Sequence, residues 1–171
     1  MHGSSLRGMS GKVPRGMISQ PVAWGVIFLL FLADQASKWA VVHHIGFQEA
    51  VTVIPGFFSL THVYNTGAAF SMMHDSNRFF AILSLAVFVL LIVLRRHFPG
   101  LLMQWGWVLI LSGILGNVTD RLLRGHVVDF LDFQFGSYHW PAFNVADSCI
   151  CIAAVLFLLS GFITPDKPAK T

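Results

Sequence analysis

Residues 101–121 read LLMQWGWVLILSGILGNVTDR, a mostly apolar run that meets charge only at its far end, at Asp120 and Arg121. Crossing about 30 Å of hydrocarbon takes about 20 mostly apolar residues, so this stretch is long enough to span a bilayer. The rest of the chain agrees with that reading. Of its 171 residues, 55% are hydrophobic and 11% charged, with a mean hydropathy of +0.68. Soluble domains carry about 25% charged residues, so a water-soluble globule does not fit. Disorder does not fit either, because it needs few apolar residues. The net charge of +3 does not point to nucleic acid, since the basic residues are scattered at segment ends and form no stripe.

Working outward, four spans are expected at about 22–42, 79–98, 101–123 and 143–163. Pro99-Gly100 separates the second from the third as a tight hairpin. The expected class is an all-α integral membrane protein with four transmembrane helices and a small outer β-sheet. Residues 1–16 are polar and unpatterned and read as an expression leader, with Met17 as the natural start. A single domain then covers 17–164, with a short tail at 165–171. The first span is not a cleaved signal peptide, because it runs directly into Ala33-Asp34-Gln35-Ala36-Ser37-Lys38 with no small-residue cleavage site. Cys149 and Cys151 lie in an apolar run and read as small hydrophobes.

Basic residues set the orientation. Arg95, Arg96, Lys167 and Lys170 fall on one side, which is expected to be cytoplasmic and to hold both termini. The other side holds Lys38, Arg78, Arg121 and Arg124, but also Asp34, Glu49, Asp75, Asp120, Asp129, Asp132 and Asp147. The segments at 43–78 and 124–142 lie there and are too long for simple turns. Within them, 51–55, 58–64 and 127–135 are rich in β-branched and aromatic residues and read as strands. Trp140 and the pairs Phe57-Phe58 and Phe79-Phe80 suit an interfacial belt.

Ionisable residues inside spans are costly and mark function by default. Asp34 and Lys38 are i,i+4 and can neutralise each other. Asn117, Asp120, Arg121 and Arg124 form one helical stripe, in which Asp120 has cations at +1 and +4 and so an orienting or structural role. Asp129 and Asp147 have no Lys or Arg within four residues. Asp129 and Asp132 point to opposite faces of a strand, and Asn144 and Asp147 share a helix face. Two unpartnered carboxylates are either unrelated solvated groups or a pair that shares one proton, the arrangement of aspartic proteases. His43, His44, His62, His74, His126 and His139 lack metal-ligand spacing and read as interfacial or loop residues. Asn117-Val118-Thr119 matches a glycosylation sequon but lies at the end of a span. Met72-Met73 reads as packing, and Gly67-Ala68-Ala69 as a site of close backbone approach.

Four blocks together resemble the bacterial lipoprotein signal peptidases (type II). They are Asp34-Gln35-Ala36-Ser37-Lys38; Asn65-Thr66-Gly67-Ala68-Ala69-Phe70; Gly116-Asn117-Val118-Thr119-Asp120-Arg121 with Gly125-His126-Val127-Val128-Asp129-Phe130; and Phe143-Asn144-Val145-Ala146-Asp147-Ser148. Thr119 stands where an apolar residue is expected. The resemblance implies a four-helix inner-membrane aspartic endopeptidase with a small periplasmic sheet. Such an enzyme removes signal peptides from prolipoproteins before a diacylglyceryl-modified cysteine. It also implies catalytic Asp129 and Asp147, with Asp34, Lys38, Asn65, Gly67, Asn117, Asp120, Arg121 and Asn144 binding substrate or supporting the site. No metal or organic cofactor is implied, and globomycin-like cyclic peptides would occupy the substrate site. The chain is expected to act as a monomer among membrane lipids, with no nucleic acid. Two other readings are an ion- or proton-coupled transporter, with Asp34, Lys38, Asp120 and Asp147 as a relay, and a metal-dependent lipid phosphatase. The clustering of acids at one end of the spans disfavours the transporter.

Overall fold

The structure, a computed structural model, describes residues 18–67 and 76–163. Its elements are α1 (Gln20–His44), β1 (Ala50–Ile54), β2 (Phe58–Asn65), α2 (Ser76–Val93), α3 (Leu101–Leu123), β3 (Val127–Phe135), β4 (Tyr138–His139) and α4 (Val145–Ile163). A 3-10 turn at Arg95–His97 joins α2 to α3. The leader, Met17, Ala68-Ala69, Phe70, Met72-Met73, His74, Asp75 and the chain from Thr164 onward lie outside the described residues.

Among the described residues, three helices are long and apolar enough to cross a bilayer: Gln20–His44, Leu101–Leu123 and Val145–Phe162. The second expected span, 79–98, needs correction, because its apolar helix runs only over Asn77–Val93. The helix stops where its end is captured by other groups. The Leu91 carbonyl accepts a hydrogen bond from Trp107 Nε1 at 2.7 Å. Arg95 turns back over the Trp107 ring, 4.8 Å from its centre, and donates to the Ile18 carbonyl at 3.2 Å. Phe98 then precedes Pro99, which disfavours helix, and Gly100 adopts φ +78° at the entry to α3. The fourth helix starts at Val145 rather than 143. Phe143 is held instead by strand-like bonds, its N–H to the Leu131 carbonyl and its carbonyl from the N–H groups of Phe130 and Leu131.

The central helix is α3, which packs against α1, α2 and α4. It is 61% buried over its apolar window, against 22% for α1 and for α4. The remaining apolar residues, such as Phe28, Leu29, Ile82, Val93, Leu158 and Phe162, point outward, as lipid-facing side chains do. Glycines on α3 let α4 approach closely. A Cβ at Gly106 would lie 2.5 Å from the Phe157 ring, one at Gly113 would meet the Ala146 carbonyl oxygen, and one at Gly116 would lie 2.6 Å from Asp34 Oδ2. Gly113→Ala therefore displaces the first turn of α4. Overpacking of this kind costs about 1–3 kcal/mol, enough to outweigh the ~1 kcal/mol that alanine gains in a helix. Gly161 has open space around it, so Gly161→Ala should be neutral or stabilising. Thermal unfolding in detergent checks both, and a stable Gly113→Ala protein would contradict the close approach.

The sheet is antiparallel in the order β1-β2-β3-β4. It matches the three expected strand segments closely. Its underside packs on the end of the bundle through Val41, Ile45, Val128 and Phe130. Register slips between Leu60 and Val63 of β2, opposite Leu131 and Asp129 of β3. That irregularity turns two successive residues inward, Thr61 and His62. His62 is accordingly buried rather than interfacial, with Nδ1 2.8 Å from the Ile45 carbonyl oxygen.

Candidate active site

Asp147 lies in the first turn of α4, where its backbone needs partners. Asn144 supplies them reciprocally: its Oδ1 accepts the Asp147 N–H at 2.9 Å, and Asp147 Oδ2 accepts the Asn144 N–H at 3.3 Å. This is a capping box with Asn and Asp in the two roles. It fixes the Asp147 carboxylate at the sheet end of the bundle. The other oxygen, Oδ1, accepts from Asn117 Nδ2 of α3 at 2.7 Å.

Asp129 comes from β3 and is 3% exposed. Asp132, three residues on, keeps a partly open side chain 3.5 Å from His139, as strand alternation requires. Asn144 also reaches Asp129, donating from Nδ2 to Oδ1 at 2.7 Å. A second amide, Asn65 Nδ2, donates to Asp129 Oδ2 at 3.0 Å. Asn65 is itself set by the Gly67 N–H, which donates to its Oδ1 at 2.9 Å. Gly67 has φ +81°, a conformation that glycine adopts without strain. One asparagine thus contacts both carboxyl groups.

Burial, followed by the nearby charge of Asp147, pushes the Asp129 carboxyl up from 3.8 to about 6, against hydrogen bonds from Asn65 and Asn144 that favour ionisation. This links stability to pH. Below about 4 the folded and unfolded chains both carry the proton and the effect vanishes. As pH rises the unfolded chain ionises first, so the native fold loses stability until pH passes about 6. Compared with the native protein, Asp129→Asn should therefore gain about 1–3 kcal/mol between pH 4 and 7. Unfolding of both proteins across that range measures it, and parallel curves would show that Asp129 titrates normally.

Behind the pair lies a buried ionic cluster. Asp34, Lys38 and Asp120 are 1%, 0% and 0% exposed. Lys38 Nζ lies 2.9 Å from Asp34 Oδ2, 2.9 Å from Asp120 Oδ2 and 3.1 Å from Asn117 Oδ1. The expected i,i+4 pair is present, and a second acid from α3 joins it. Arg124 pairs with Asp120 as expected from the +4 spacing. Arg121 does not pair with Asp120. Its guanidinium sits 5.7 Å from the centre of the Phe80 ring, and its Nε has no hydrogen-bond partner among the described residues. At i+1 it leaves the helix about 100° from Asp120, which is why the two diverge. Asn117 is buried between Lys38 and Asp147, which removes the sequon reading.

Sequence reasoning missed two residues. Gln35 donates to Asp34 Oδ2, Asp120 Oδ1 and the Gly116 carbonyl, and accepts from Arg124. Its position inside the first motif block was the available signal. Asn77 Nδ2 donates to the Arg121 carbonyl at 3.2 Å, and nothing local marked it. Beside Arg121, a cleft of about 380 Å³ opens between α2 and α3, lined by Asn77, Arg78, Ala81, Ile82, Leu122 and Gly125. Among the described residues, no group of three His, Cys, Asp or Glu gathers in metal-binding geometry. The arrangement offers two carboxyl groups with unequal surroundings, one of them partly open, which can share a proton and act on a water and a carbonyl.

The chain has clear relatives. A family model described as "Signal peptidase (SPase) II" matches residues 26–163. A "Lipoprotein signal peptidase" of Neisseria meningitidis serogroup C (strain 053442) is 45% identical over 154 residues, covering 86% of this chain and 93% of that protein. A protein of the same description from Aeromonas hydrophila is 48% identical over 150 residues, covering 84% of this chain and 89% of its own. A solved bacterial membrane enzyme, determined by the in meso method at 1.9 Å resolution, is similar with a TM-score of 0.81 and 28% identity, over 90% of this chain and 100% of that one.

Proposed function

Because this chain belongs to the signal peptidase II family, aspartic peptidases that cut signal peptides from prolipoproteins before a diacylglyceryl-modified cysteine, we propose that Asp129 and Asp147 are its catalytic pair. The observation that carries the assignment is the Asn144 side chain, which bonds Asp129 and caps Asp147 at once. Two carboxyls so close cannot both ionise readily, so they share a proton. One accepts a proton from the attacking water while the other donates to the scissile carbonyl oxygen. Asn65, Asn117 and Asn144 orient the acids, and Arg121, with a spare Nε donor, hydrogen-bonds the substrate backbone. The test is incubation with lipidated prolipoprotein in buffer containing EDTA, followed by mass analysis. A loss equal to the signal peptide supports the reading. No cleavage by a folded protein counts against it, and loss of cleavage on adding EDTA would call for a metal.

The same elements support a membrane arrangement. With 18 residues, α2 is about 27 Å long, and Arg78 near its start can snorkel to the interface. It serves as the fourth span of a single domain over 17–164, with both termini cytoplasmic. The sheet and the acid-rich end face the periplasm from the inner membrane. The chain works as a monomer surrounded by lipid, and globomycin-like cyclic peptides bind beside the acids. In a protein with Cys149 and Cys151 replaced by serine, an impermeant thiol reagent added outside should label Ser137→Cys and leave Pro99→Cys unlabelled. The reverse pattern would invert the topology.

A further inference from the structure

We propose that Lys38 is a positioning residue that sets the separation of the two catalytic carboxyl groups, a role that rests on the dyad reading above. An ammonium has three donors and no acceptor, and all three of its donors are in use here, toward Asp34, Asp120 and Asn117. What matters is where the three acceptors lead. Asp34 uses Oδ1 to accept the backbone N–H of Ala146 at 2.9 Å, the residue immediately before Asp147. Asp120 uses Oδ2 to accept the backbone N–H of Val128 at 3.3 Å, the residue immediately before Asp129. Asn117 presents Oδ1 to Lys38, so its Nδ2 must face the other way, and there it meets Asp147 Oδ1. One cation on α1 thereby ties together the peptide group entering each acid and the amide that holds one of them.

The alternative is an ion pair that only stabilises the fold. Buried ion pairs are poor at that task, since apolar residues of similar volume often stabilise a protein equally well or better. A planar guanidinium would not place three donors toward acceptors on separate sides, which accounts for lysine at this position. Catalysis is sensitive to misplacement of about 1 Å, so an effect on rate is expected even where the fold survives.

The decisive variant is Asp34→Leu/Lys38→Met. It removes the buried pair together and leaves Asp120 neutralised by Arg124, so no lone charge is stranded. Assayed as the full chain in detergent with lipidated prolipoprotein, it should lose about 100-fold in kcat while KM stays within about threefold. A purely stabilising pair would leave kcat unchanged in the folded fraction. A kcat within threefold of native, or a loss expressed equally in KM, overturns the proposal. Should the double variant fail to fold, Asp34→Asn/Lys38→Gln, which also strands no lone charge, takes its place, with about a 10-fold loss of kcat expected at constant KM and the same overturning results. Failure of the dyad reading is seen separately: turnover by Asp129→Asn or Asp147→Asn refutes the dyad. Native kcat in the Lys38 variant, with both of those inactive, refutes only the role of Lys38.

Discussion

Asp129→Asn and Asp147→Asn are each expected to lower turnover by about 10³-fold or more in a protein that still folds, with the double variant no slower than the slower single. Asparagine keeps the volume of aspartate and can still accept one hydrogen bond, so the capping of α4 and the contact with Asn144 are largely preserved. It cannot take a proton from water or deliver one to a carbonyl. On the proposed pairing the two acids work on one water and one peptide bond, so removing either should remove the whole step, and the losses should not add. Rates for the two singles and the double in one assay test this. Additive losses would mean that the acids act on separate steps. Substantial activity in either single would move the catalytic role to another residue, with Asp34 and Asp120 next in line by burial and proximity.

Cleavage should also depend on the lipid carried by the substrate, with at least a 100-fold lower rate for an unlipidated prolipoprotein of the same signal sequence. The acids sit where α4 begins and where β3 meets the bundle, at the end of the spans rather than within them. A scissile bond must therefore be held at the depth of the interface. Each methylene of an acyl chain buried in apolar surroundings contributes about 0.8 kcal/mol, and two chains fix both depth and orientation. The cleft between α2 and α3, with Ala81, Ile82 and Leu122 beside Arg78 and Arg121, has the mixed character that a lipid-linked peptide requires. Parallel assays in one detergent decide the point. Equal rates would point to a general intramembrane protease that reads the peptide alone.

Much of this was legible in local patterns. The apolar runs fall at α1, α3 and α4, the strand segments at β1, β2 and β3, and the paired charges Asp34 and Lys38 on one helix face. Such features depend on spacing within a single element, which 3.6- and 2-residue periods encode directly. The lack of a nearby cation singled out Asp129 and Asp147 for the same reason. The end of α2 was less legible, because it depends on Trp107 of α3 and on Ile18, just before α1, reaching in to capture Leu91 and Arg95.

By itself, the sequence determined that this chain crosses a membrane, that its acids gather at one end, and which two of them lack local partners. Only the tertiary structure decided that Lys38 serves Asp120 as well as Asp34, that Arg121 turns away from its neighbour, and that Asn144 joins the two acids. The physical reason lies in the packing of α3. Gly113 and Gly116 let α4 come close enough for groups on α1, α3, β3 and α4 to meet, and a helical period gives the face a side chain occupies but not the element that arrives opposite it.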